Sequence, residues 1–342
     1  MVKINWKYTN KYDIPGGFTI HNDLIYSGNS NGDLIALKKS TGKEEWSYHA
    51  GGRIYSIPAV SDDKIIFTST NGSVYCLSLK GKLVWTFKTK KAVVSSPEIK
   101  NDKVFVGFSD GSFRCLDLRN GALIWDYNQI EGGFVQASLL YNGNVYFGAW
   151  NSYLYALNQR NGELLWKWSN NMSNGRSPAA VAPVAVNNRV FVVSPDNHIT
   201  CIDAKTGKII WREKNPEVPV NFSRGLSTDS LTFFVKTRNN KGVGVSTSAD
   251  SMKIVWEASV DLDDDGSPTP IYAGENIVYI SSKEGTIIAV SRKTSQTLWK
   301  YKITNSSINM VLPVSEKEIY ASTGDGKIIC LKITGNSSGS NM

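Results

Sequence analysis

The chain is poor in the residues that chemistry most often demands. Among 342 residues there are three His and four Cys, and no two Cys are adjacent. His21, His49 and His198 lie far apart, and none has metal-ligand spacing. No Walker loop or Rossmann fingerprint occurs, so nucleotide-dependent catalysis has no motif to rest on. No stretch approaches the roughly 18 consecutive apolar residues of a membrane span. The opening Met-Val-Lys-Ile-Asn-Trp-Lys lacks the apolar core of a signal peptide and reads as a strand. As the chain stands it suits the cytoplasm; as a trimmed mature form it suits the periplasm. Pro is moderate (11) and scattered, which marks no long linker.

Gly (29), Tyr (15) and Trp (10) are plentiful, and 41% hydrophobic content against 20% charge supplies a core and no signature of disorder. The Trp positions are periodic. They fall at Trp6, Trp46, Trp85, Trp125, Trp166, Trp211, Trp256 and Trp299, at intervals of 39 to 45. A turn pair recurs ahead of them at Asn31-Gly32, Asn71-Gly72, Asp110-Gly111, Asn151-Ser152, Asp196-Asn197, Lys241-Gly242, Glu284-Gly285 and Asp325-Gly326. Four residues later comes a small side chain: Ala36, Cys76, Cys115, Ala156, Cys201, Ser246, Ala289, Cys330. The Trp follows ten residues on, or nine in the second unit.

Each unit reads as four short strands. Asn-Gly and Asp-Gly pairs suit the type I′ turns that match strand twist, and the flanking segments alternate with period two. A period near 40 with four strands per unit predicts an all-β, eight-bladed β-propeller, in which ring closure removes sheet edges. The eighth unit has no Trp after Ile333, and Lys3 to Tyr8 matches Lys82 to Phe87. Residues 1–9 are therefore expected to complete the eighth blade. The expectation is one propeller over 1–334 and a flexible tail over 335–342.

The segment Cys201-Ile-Asp-Ala-Lys-Thr-Gly-Lys-Ile-Ile-Trp211 resembles the docking motif of the pyrroloquinoline-quinone (PQQ) propeller repeat, A-x-D-x-x-T-G-x-x-x-W. Ala36 to Trp46 is similar, and Cys115 to Trp125 and Ala156 to Trp166 keep the Gly and the Trp. That resemblance spans the chain and implies the fold. It implies no single activity, because the repeat occurs in quinoprotein dehydrogenases, in the BamB-type propeller of bacterial outer-membrane assembly, and in sensor domains fused to kinases or phosphatases. It also implies that the eight Trp dock between blades. Met252 and Ser295 replace the expected Gly, so those turns should be strained or rebuilt. The dehydrogenases enclose their cofactor with long insertions, a vicinal disulfide and a calcium-bound Asp. None is matched here, and PQQ is not expected.

Cys76, Cys115, Cys201 and Cys330 share one repeat position. Equivalent atoms of neighbouring blades should stand well beyond the ~5.5 Å Cα separation of a disulfide, so four buried free thiols are expected. Between small residue and Trp, units one to seven hold twelve Lys/Arg and six Asp/Glu, which places +6 of the net +8 around one set of turns. No aromatic stacking platform accompanies this charge, so nucleic acid is not the expected partner.

Longer connections break the symmetry after Trp166 and Trp211. They point to a partner or ligand rim of Trp150, Asn171, Arg176, His198, Asn221, Phe222, Arg224 and Arg238. Asp261-Leu-Asp263-Asp-Asp265-Gly266 matches the first half of a calcium loop, although Tyr272 stands where a bidentate Glu belongs. Asp261, Asp263 and Asp265 would form a weak calcium site at most. The resulting expectation is a monomeric, non-enzymatic scaffold or ligand sensor that engages a protein partner or a fused domain. The alternative is a quinone-dependent dehydrogenase or another small-molecule enzyme using the central funnel.

Overall fold

The computed structural model describes residues 1–130, 135–169, 182–194, 196, 198–214, 227–228, 231–237, 241–262 and 269–334. Its strands form eight antiparallel four-stranded sheets, one per blade, and no helix occurs among the described residues. Within a blade the strands a to d run outward from the ring centre; blade 1 comprises Phe18–His21, Leu24–Gly28, Asp33–Lys38 and Glu44–His49. The b and c strands are near-continuous apolar runs such as Lys64–Ser69, buried on both faces because each blade is sandwiched by its neighbours. The d strands alternate instead, as in Glu44–His49, because they form the outer wall.

The core is accordingly divided. Eight apolar clusters lie between successive blades; the one between blades 2 and 3 joins Ile66, Val74, Cys76, Trp85, Val93, Val104, Val106 and Phe108. All four Cys are free and buried in these seams. Burial pushes the thiols of Cys76, Cys115 and Cys201 up to about 12, which leaves them inert as nucleophiles.

Ring closure follows the expected route. The strand Val2–Thr9 pairs with Lys327–Ile333, with Trp6 opposite Cys330 as Trp46 is opposite Ala36. The Thr334 amide donates to the Met1 carbonyl at 2.8 Å, so the two chain ends meet where other blades have a c–d turn.

Each docking Trp reaches across to the next blade. Trp6, Trp46, Trp85, Trp125, Trp166 and Trp211 donate their indole N–H to the carbonyls of Lys39, Leu79, Leu118, Gln159, Ala204 and Ala249 at 2.9–3.3 Å. Five of these rings lie against a turn Gly of positive φ; a Cβ on Gly121 would stand 2.7 Å from Trp85 Cδ2. Blade 7 departs from this. Ser295 takes φ +56°, and the Trp256 indole N–H that should dock there is buried without a hydrogen-bond partner. An L-residue in the left-handed region is strained by about 1 kcal/mol. Ser295→Gly should therefore raise the urea midpoint by an amount equivalent to about 1 kcal/mol; an unchanged midpoint would place the strain elsewhere.

Blade 6 corrects the sequence register. Lys241 and Gly242 lie inside the c strand Lys241–Ser246, and the hairpin closes earlier, with the Thr237 amide donating to the Lys241 carbonyl at 2.8 Å. The residue opposite Trp256 is Gly244, not Ser246. The c–d connection is two residues longer than in blade 5, running from the Ser246 amide to the Lys253 carbonyl where blade 5 runs from Asp203 to Lys208. This longer turn is how the blade accommodates Met252. A count back from Trp256 therefore lands two residues late.

Candidate functional site

Connections from each d strand to the next blade leave beside the b–c hairpins, as where the Ala50 amide donates to the Gly32 carbonyl at 2.7 Å. Trp150 and His198 stand on the hairpins of neighbouring blades 4 and 5, on the face expected for the rim. Asn171, Arg176, Asn221, Phe222, Arg224 and Arg238 lie outside the described residues.

The described part of this rim is organised by turn chemistry. Asn151 Oδ1 accepts from the Tyr153 amide at 3.3 Å and Asp196 Oδ1 from the His198 amide at 3.2 Å. Such side-chain caps hold the hairpin and explain why Asn and Asp recur there. In blade 4 the second hairpin position is Ser152 at φ +74°, where most blades place Gly, so this turn carries strain beside Trp150.

Blade 5 then adds charge. The Asp196 carboxylate, 3% exposed, is ion-paired with Arg212, and His198 Nδ1 lies 3.0 Å from the Asp196 carbonyl oxygen. Thr200 is opposite Arg212 and Ser194 is opposite His198, so the period-two alternation puts these four side chains on one sheet face. That face packs against blade 4, as shown by Val192 and Ile202 in one cluster with Leu154 and Trp168. Ser194 Oγ, Thr200 Oγ1 and Arg212 Nε are all buried without a hydrogen-bond partner. Buried polar atoms are normally satisfied, so three orphans on one face make this seam the most polar-strained place on the described rim.

Ser194, His198 and Asp196 include the residue types of a hydrolytic triad. No hydrogen bond joins Ser194 to His198, Ser194 is 1% exposed, and Arg212 already holds Asp196. The arrangement can present hydrogen-bond donors; it does not set up a nucleophile.

The polar residues that the repeat alignment assigns to the inner-strand segments are Ser56, Ser95, Ser96, Gln136, Ser138, Ser267 and Asn309. Most of the described ones are spent on the scaffold. Ser56 Oγ accepts from the Thr68 amide at 3.1 Å, Ser95 donates to the Gly107 carbonyl at 2.6 Å, and Ser96 Oγ accepts from the Ile57 amide at 2.9 Å. Asn309 donates to the Ile14 carbonyl at 2.7 Å. Ser138 Oγ is buried without a partner. Gln136 and Ser267 have no described side chains.

One channel-side acid was missed in the sequence. Glu98 begins the inner strand Glu98–Lys100 of blade 3, and burial pushes its carboxyl up to about 7. Its only sequence signal is an acid directly after Pro97, where the corresponding blade 2 position holds Ala59 after Pro58. The sign of its effect is clear. Near pH 4 both folded and unfolded chains hold the proton, and folding is not penalised. Between about 4.5 and 7 the unfolded chain ionises first, so stability falls as pH rises and stays low above 7. Glu98→Gln should gain about 1–3 kcal/mol at pH 8 and almost nothing at pH 4. Urea melts at both values test it; equal gains would point to packing and not to charge.

Among the described residues no group of three or more His, Cys, Asp or Glu could hold a metal ion. Asp261 is largely exposed and pairs with Lys300 at 3.1 Å, while Asp263 and Asp265 lie outside the described residues.

Residues 3–167 and 131–338 match the family model described as outer membrane protein assembly factor BamB. A protein of that name from Burkholderia pseudomallei is 29% identical over 148 residues, covering 43% of this chain. The chain spans about a third of that relative's length, 35%. Among solved structures, BamB from Moraxella catarrhalis superposes with a TM-score of 0.78 at 16% identity, covering 97% of this chain and all of the other. A europium-containing methanol dehydrogenase gives 0.76 at 13% identity, covering 97% and 93%. At such identities the structural likeness speaks for the fold alone. No helix among the described residues is long and apolar enough to cross a membrane.

Proposed function

Because this chain belongs to the BamB family of PQQ-like repeat propellers, we propose that it is a non-catalytic scaffold that holds a protein partner on its b–c rim. The observation that carries this reading is the blade 5 cluster. Asp196, Arg212 and His198 form a locked polar frame, with Arg212 Nε and, on the same sheet face, Ser194 Oγ and Thr200 Oγ1 buried without partners. It lies on the face from which the long connections leave. Rigid scaffolds concentrate binding on such loops. The relative's name, outer membrane protein assembly factor, agrees with a partner-holding surface.

The channel favours the same reading. Catalysis would call for a convergent set of groups with perturbed pKa values, and Glu98 is raised by burial alone, with no charged partner contributing. The free, separated Cys also leave no counterpart to the vicinal disulfide of the quinoprotein dehydrogenases. We therefore propose that neither PQQ nor a tightly held metal takes part. Calcium at the Asp261 loop would be an accessory of low affinity.

A photo-crosslinking residue placed at His198 or Lys214 should capture a discrete partner from extracts of the source cells, while one at Lys80, in a c–d turn on the opposite side, should not. Equal capture from both sides would remove the rim assignment. Dye reduction after addition of PQQ, calcium and alcohols would replace the scaffold reading with the enzymatic one.

A further inference from the structure

The outer wall of the propeller carries a feature that neither ring closure nor the b–c rim requires. In every blade the d strand has a β-bulge at the residue just before the docking Trp. A bulge twists an edge strand away from further pairing. It also turns two successive side chains outward; both are aliphatic in blades 2 to 6, and one of the two is in blade 7 (Leu298) and blade 8 (Ile4). Blades 2 to 4 show the pattern complete, as Leu83-Val84, Leu123-Ile124 and Leu164-Leu165, each residue 39–51% exposed. Of the sixteen large hydrophobic side chains exposed among the described residues, eleven occupy these two positions. Blade 1 alone substitutes acids, Glu44 and Glu45, tied to Tyr8 at 2.8 Å and Lys38 at 2.7 Å.

The belt lies directly after the c–d turns, where twelve Lys/Arg face six Asp/Glu in blades 1 to 7. Lys82, Lys208 and Lys253 immediately precede their aliphatic residues. A repeated unit of one base followed by exposed aliphatics is the chemistry of interfacial amphipathic segments, in which apolar side chains enter the headgroup boundary and cations meet lipid phosphates. A specific protein partner fits less well. Protein hot spots are shaped pockets rich in Trp, Tyr and Arg, whereas here Leu, Ile and Val interchange around the circumference at one height. The bulges also oppose strand addition. We propose that the c–d rim docks on an anionic bilayer surface.

The test uses the whole chain and vesicles of phosphatidylcholine with or without phosphatidylglycerol. The protein should sediment with the charged vesicles at low salt and be released by high salt. Replacing Leu83, Val84, Leu123, Ile124, Leu164 and Leu165 with Ser should leave the melting temperature close to wild type, because these side chains are exposed. It should weaken partition about tenfold or more. Glu44→Leu with Glu45→Val extends the belt into blade 1 and should strengthen binding, which keeps the test decisive should the Ser variant fold poorly. Failure of the wild type to sediment with charged vesicles overturns the proposal. So does equal sedimentation with uncharged ones, or capture of the belt by a protein partner in the absence of any vesicle binding.

Discussion

Removal of residues 1–9 is expected to turn a closed ring into an open, self-associating assembly. The deleted strand supplies seven paired positions to Lys327–Ile333, from Val2 opposite Ile333 to Thr9 opposite Lys327. It also carries Trp6 and Tyr8, which pack on the seam of Ile14, Phe18, Ile25, Ile35, Tyr320 and Ile328 between blades 8 and 1. Without it the Lys327–Ile333 strand becomes an exposed, apolar edge, the arrangement that templates pairing with another chain. The loss of Trp6 packing alone should cost ~3–5 kcal/mol, and the lost ladder adds to it. Light scattering coupled to size exclusion, together with a thermal melt, provides the measurement. A synthetic peptide of residues 1–10 added in trans should restore the size of the full-length chain. A truncated chain that stays monomeric with an unchanged melting temperature would show that closure does not depend on this strand.

Trp85→Ala should be among the most damaging single substitutions of the docking residues. Trp85 is 8% exposed, sits in the cluster between blades 2 and 3, and donates to the Leu118 carbonyl at 2.9 Å. Its removal leaves a cavity against Gly121 and an unpaired carbonyl, for an expected ~3–5 kcal/mol. Trp256→Ala should cost clearly less. That indole is less buried and has no hydrogen bond to lose. Chemical denaturation of both variants gives the comparison, and equal losses would mean that the docking bonds add nothing to the packing.

The architecture was legible because it is written eight times. Trp and turn residues are set by local needs, an indole that fills a seam and a Gly that accepts positive φ, and each repetition reinforces the register. Where one unit changes its turn length the same method slips, as it did by two residues at Gly244. The site was far less legible. His198 and Trp150 could be placed on the correct face by alignment. The frame around His198 depends on Arg212, which in sequence is only the residue after a docking Trp. Orphaned hydroxyls such as Thr200 Oγ1 have no sequence signature, because whether a hydroxyl is satisfied depends on the neighbouring blade. Glu98 is similar, since its raised pKa comes entirely from burial.

The meeting of Met1 with Thr334 has a consequence for how the protein is made. The ring's first strand pairs with its last, so Trp6 has only the blade 1 half of its seam until residue 333 has been synthesised. At roughly 5–20 residues per second, that interval is about 20–70 s. Throughout it an aromatic, unpaired segment trails from a growing stack of blades whose seams form one by one. Such a nascent chain has reason to recruit a holding chaperone at this segment, and its slowest folding event should be the final docking of a strand translated tens of seconds earlier.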